Sequence, residues 1–124
     1  MIVAALGVSL LVALAYWHYR RTRHARWLAL FDRQLIKADN SVAQLAAASE
    51  LLRRAARRVD RKAVHLQGKS WLRFLDGNNA GRFSQGVGRI LVDGSFRRHL
   101  DEQQARDACQ LARERFVELM DKQR

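Results

Sequence analysis

The stretch MIVAALGVSLLVALAYWHY, Met1 to Tyr19, holds no Asp, Glu, Lys or Arg, although the 124-residue chain carries 23 basic and 12 acidic side chains. Few structures are open to such a run. As a helix it extends about 28 Å at 1.5 Å per residue, close to the ~30 Å hydrocarbon thickness of a bilayer. The segment is therefore expected to span a membrane. A cleavable signal peptide is the competing reading, and Ala13-Leu14-Ala15 has the form of a cleavage site. The charge distribution argues against it, because no basic residue precedes the run while RRTRHAR, Arg20 to Arg26, follows at once. Basic residues after a span hold that end in the cytoplasm, so the expected orientation places the N-terminus outside and the rest of the chain inside. Trp17 and Tyr19 would then lie at the headgroup level, where amphipathic rings are enriched. The single cysteine, Cys109, can form no internal disulfide and suits a reducing compartment.

The net charge of +11 is unevenly spread. From Arg20 to Lys62 there are 12 basic and 4 acidic residues, against 11 and 8 from Ala63 to Arg124. The excess lies beside the span. Arg20, Arg21, Arg23 and Arg26 are expected to contact lipid headgroups, at about 1 kcal/mol each against an anionic leaflet.

Proline is absent, and glycine occurs only at Gly7 and from Gly68 to Gly94, so the intervening chain defaults to helix. Three regions are expected: a transmembrane helix at 1–19, a basic juxtamembrane extension at 20–40, and a cytoplasmic helical domain at 41–124. Trp27, Leu28, Phe31 and Leu35 recur at helical spacing in the extension. Ser41 with Gln44 forms a capping box for a second helix, Val42 to about Lys62. Its apolar side carries Val42, Leu45, Ser49, Leu52, Ala56 and Val59; the opposite side carries Arg53, Arg54, Arg57, Arg58 and Arg61. Farther on, Ser70 is expected to cap a short helix ending at Asp76, and Ser84 to cap one bearing Val87, Ile90 and Leu91. The last helix starts acidic, ends basic, and repeats apolar residues from Ala105 through Cys109, Phe116 and Met120. No period-2 alternation appears. The expected fold is all-α, a bundle of about four to five helices, with Trp71, Phe74, Leu75, Phe83, Ile90, Leu91, Phe96 and Phe116 in its core.

Gly68-Lys69-Ser70 spells the end of a P-loop, G-x-x-x-x-G-K-[ST], whose first glycine turns the chain out of a β-strand toward the phosphates. Five residues before Gly68 stands Ala63, and the Arg-rich helix precedes it instead of a strand. Nucleotide binding is not expected there, and Lys69 reads as a surface charge in a turn. Gly86-Val87-Gly88 lacks the strand and third glycine of a dinucleotide fingerprint and is expected to permit close approach between helices. His18, His24, His65 and His99 show no metal-ligand spacing. Cys109 reads as a small buried side chain rather than a nucleophile. No enzyme activity, cofactor, metal or small-molecule substrate is therefore expected. The Arg53 to Arg61 face is either a solvated surface or a contact for anionic lipid, nucleic acid or an acidic protein. Nucleic acid is the weaker choice, since no interleaved aromatics are present to stack bases.

Leu51-Leu52-Arg53-Arg54, then Gly68 with Trp71-Leu72-x-Phe74-Leu75-Asp76, then Phe83, Gly86, Gly88 and Arg89, together resemble a bacterial domain-of-unknown-function family numbered 4381. The resemblance covers nearly the whole chain from the span onward. Members usually carry a short Pro- and Trp-containing segment outside the membrane before the span, whereas this chain starts inside the span at Met1. Members are encoded with MoxR-type AAA+ ATPases and aerotolerance-type von Willebrand factor A proteins. The resemblance thus implies a membrane-tethered accessory of such a system; with the span, the basic stop, the all-α domain and no catalytic constellation, the expectation is a non-enzymatic, single-pass protein of the bacterial cytoplasmic (inner) membrane, with such proteins and the lipid bilayer as partners. The alternative is a membrane-tethered binder of nucleic acid or anionic lipid through the Arg-rich face.

Overall fold

A computed structural model describes residues 1–77, 81–94, 97 and 100–122. Phe96 and His99 lie outside the described residues. The described elements are all helical: α1 (Ile2–Ile36), α2 (Ser41–Val59), α3 (Gly68–Asp76), α4 (Ile90–Asp93) and α5 (Glu102–Asp121), with 3-10 turns at Arg61–His65 and Val87–Arg89.

α1 is one unbroken helix of 35 residues, about 52 Å at 1.5 Å per residue. Its first part is exposed on every side, and it is long and apolar enough to cross a membrane. Its second part belongs to the bundle. Phe31 is fully buried, and Trp27, Leu28, Leu30 and Leu35 pack against the same core. The helical unit therefore takes in part of the 20–40 extension as well as residues beyond 41.

Asn40, one residue before the expected cap, starts α2: its side-chain oxygen accepts the Ala43 N–H at 2.8 Å, leaving Ser41 as the first helical residue. Asn fills this role as well as Ser, and the extended backbone at Asn40 decides the position. The buried stripe of α2 is Leu45, Ala48, Leu51, Leu52, Ala55 and Ala56. It is broader than the expected face because α2 packs on both α1 and α5. Val59, expected on the apolar side, is exposed. The helix ends there because Asp60 turns extended and its carboxylate accepts the Lys62 N–H at 3.0 Å, starting the 3-10 turn.

Long-range contacts fix how the three long helices run. Phe31 meets Phe116 with ring centroids 5.4 Å apart, Asp32 pairs with Arg113, and His24 lies against Asp121, so α5 runs antiparallel to α1. Ser41 and Gln44 share a surface hollow with Glu102 and Arg106. At the other end Leu51, Ala55 and Arg58 share a cavity of about 120 Å³ with Leu30, Phe116 and Met120. α2 and α5 are therefore parallel to each other, and both return toward the apolar half of α1.

The shorter elements complete the core. Trp71, Leu75, Phe83, Ile90, Leu91 and Phe116 are buried as expected, while Phe74 is half-buried and stacks on Trp71 with centroids 5.9 Å apart.

Candidate functional site

The segment GKSWLRFLD forms α3, but its start differs from expectation. Gly68, at φ +56°, makes the entry turn itself, so the helix begins two residues before Ser70 and no side chain caps it. Ser70 and Lys69 lie within the first turn. Trp71 is buried at 1% exposure. Across its ring lies the Arg53 guanidinium, 4.4 Å from the centroid, which also donates to the Leu66 carbonyl at 3.1 Å. Arg53 thus leaves the expected free basic face and closes α2 over α3, as a guanidinium on an indole does well.

At the far end of α3, Asp76 is buried and holds the next segment in place. Its Oδ1 accepts the N–H groups of Phe83 at 2.6 Å and Ser84 at 3.1 Å, and its Oδ2 accepts the Ser84 hydroxyl. Burial pushes the Asp76 pKa up, but the Ser84 hydroxyl and the Phe83, Ser84 and Gly81 backbone groups outweigh it and hold the carboxyl below its ordinary value. Ser84 is therefore no helix cap. Its backbone N–H and hydroxyl are spent on Asp76, and the helix carrying Ile90 and Leu91 starts only after the 3-10 turn at Val87–Arg89. A Cβ on Gly88 would stand 2.6 Å from Phe83 Cδ1 and 2.8 Å from Phe83 Cα. Gly88 thus serves close packing against residue 83, between a turn and the loop before it rather than between two helices.

A cleft of about 450 Å³ opens between α3 and the 84–93 segment, lined by exposed Lys69, Arg73 and Arg89 together with Leu72 and Val92. Ser84, Gln85 and Asp93 also line it, Asp93 being paired with Arg97 at 3.0 Å; the excess of cations suits an acidic, partly apolar segment of another chain. Gly68 and Lys69 contribute to this wall.

Of the remaining arginines on α2, Arg54 pairs with Glu50 at 2.7 Å in an exposed i,i+4 contact, which contributes little. Arg57 and Arg58 near the end of α2, and Arg61 at the start of the 3-10 turn beyond the helix, are exposed, with no side-chain partner among the described residues. Near the apolar half of α1, Arg20 lies over Tyr16 at 5.8 Å and Arg21 over Trp17 at 5.3 Å. Arg23 turns to the bundle instead, donating to the Met120 carbonyl at 3.3 Å, and Arg26 is exposed.

Sequence reasoning missed the Asp32–Arg113 pair, two hydrogen bonds of 2.9 and 3.0 Å across 81 residues. Nothing in a local pattern signals it. Cys109 is half-buried, and burial pushes its thiol up to about 11, so it stays protonated at neutral pH. Among the described residues no group of three or more His, Cys, Asp or Glu could hold a metal ion.

The profile of a family described as a domain of unknown function, DUF4381, matches residues 1–116. No curated protein and no solved structure matches the chain.

Proposed function

Because this chain belongs to the DUF4381 family of domains of unknown function, we infer that it is a membrane-tethered, non-enzymatic accessory protein whose helical bundle docks protein partners. The observation that carries this reading is the continuity of α1. Its exposed apolar part and its buried Phe31 part are one helix, so a bilayer around the first fixes the position of the bundle on the second. No flexible linker intervenes, which favours a positioning role over a freely ranging one. The charge pattern around Arg20 to Arg26 supports an orientation with the bundle in the cytoplasm.

The partners that fit are a MoxR-type AAA+ ATPase and an aerotolerance-type von Willebrand factor A protein. The support is the company such domains keep, together with the Lys69, Arg73 and Arg89 cleft as a surface for an acidic segment. Co-purification of the tagged full chain from solubilised membranes tests the proposal. Recovery of either protein at moderate ionic strength is the expected result; repeated recovery of neither contradicts it.

A further inference from the structure

The parallel return of α2 and α5 settles where the unpartnered arginines of α2 lie. Arg23 meets the Met120 carbonyl and His24 meets Asp121, four and five residues past Tyr19. At 1.5 Å per residue that is about 6 to 7.5 Å along α1. A bilayer's headgroup layer is roughly 5 to 7.5 Å deep on each side. With Tyr19 at the boundary of the span, the end of α5 thus reaches the headgroup layer of the bilayer that α1 crosses. Arg58 shares a cavity with Leu30 and Met120, so α2 ends at the same end of the bundle as α5, about one helical turn or more farther from Tyr19, within reach of long arginine side chains.

Four exposed cations cluster in the sequence at the end of α2 and the turn after it, Arg57, Arg58, Arg61 and Lys62, and the exposed Lys122 is the C-cap of α5. Asp60 and Asp121 are the acids in these segments, and Asp121 already faces His24. Val59 and Val64 sit among the cations at 40% and 47% exposure. Among the described residues, every other exposed large apolar side chain belongs to α1 or to Met1, which precedes it. Cations interleaved with apolar side chains match a charged headgroup layer over an apolar interior.

We propose that this end of the bundle is a membrane-docking surface. Arg57, Arg58, Arg61 and Lys62 enter the anionic headgroup layer of the leaflet from which α1 emerges, and Val59 and Val64 reach its apolar boundary. The bundle is thereby held at two places, by α1 and by the end of α2. The proposal rests on α1 being a span, and it assigns the arginine stripe to lipid and leaves the Lys69 cleft to protein. Each cation near an anionic surface shifts the docked-to-undocked ratio about fivefold.

The test uses the full chain in vesicles of phosphatidylcholine, with or without phosphatidylglycerol. A nitroxide at Val64→Cys, in a Cys109→Ala background, reports collisions with a water-soluble nickel chelate; Leu11→Cys reports the span and Ile36→Cys the far end. With phosphatidylglycerol the Val64 label should be protected while the Ile36 label is not. Replacing Arg57, Arg58 and Arg61 with Gln should cut the docked-to-undocked ratio roughly a hundredfold. Hydrogen exchange across residues 59–66 of the unsubstituted chain should slow on adding phosphatidylglycerol, which reads the same docking without any substitution. A Val64 label as accessible as Ile36 in phosphatidylglycerol vesicles, with Leu11 protected, overturns the docking and leaves the span standing. A Leu11 label open to the chelate overturns both. Protection of Val64 by added single-stranded RNA but not by phosphatidylglycerol also overturns the proposal and gives the stripe to nucleic acid.

Discussion

Asp76 does more for this fold than its size suggests, because one carboxylate takes three donors from the segment that follows it. Its folded pKa is lowered, so the stabilisation is fully present above the ordinary carboxylate value of about 4 and is lost as pH falls from there through the folded value. Asp76→Asn should cost about 2 to 3 kcal/mol near neutral pH, by analogy with other hydrogen bonds to charged groups. It should also flatten the acid side of the stability profile. Urea unfolding of the solubilised chain from pH 7 to pH 3 checks both effects, and an unchanged acid limb would place the pH sensitivity elsewhere. Trp71 and Leu75 were legible as core from residue type and spacing, whereas the work of Asp76 was not. A carboxylate that captures backbone N–H groups seven and eight residues on leaves no periodic trace. The same limit explains Ser70 and Ser84: both are good capping types, but Gly68 and Asp76 set the local geometry first.

At the scale of elements, α1 has two parts with different physics. The first shows no buried side, while the second presents Phe31 and its neighbours to α2 and α5. The helical spacing of Trp27, Leu28, Phe31 and Leu35 signalled an apolar face but not what covers it, since that depends on α5 returning from more than 80 residues away. Phe31→Ala should destabilise the bundle by about 3 to 5 kcal/mol, the usual cost of emptying an aromatic core site. Membrane insertion should persist, because the exposed apolar part is untouched. Loss of heat stability with unchanged recovery in the membrane fraction is the expected pair of results. Loss of insertion as well would mean the two parts of α1 are not independent. On α2 the division into apolar and basic sides was largely readable, with Arg53 as the exception. Its contacts with Trp71 and Leu66 lie across a chain reversal that helical periodicity does not describe.

For the whole molecule, composition and breaker placement were enough for an all-α reading, because a chain without proline and with clustered glycines has little else open to it. The relative direction of α2 and α5 was not legible, and it is this direction that brings the last arginines of α2 to the same end of the bundle as Met120. It also divides the labour of the positive charge. The stripe at Arg57, Arg58 and Arg61 belongs to the end near Tyr19, and the cations at Lys69, Arg73 and Arg89 belong to the α3 cleft. The central claim, that the bundle serves as a docking platform for proteins, is tested most directly by photocrosslinking in living cells. A photoreactive residue is placed at Arg73, exposed in the cleft, and the adducts are identified by mass spectrometry. The account predicts adducts with a MoxR-type ATPase or a von Willebrand factor A protein, reduced when Lys69 and Arg89 are changed to Glu. Adducts confined to lipid or nucleic acid, with neither protein captured, would contradict it.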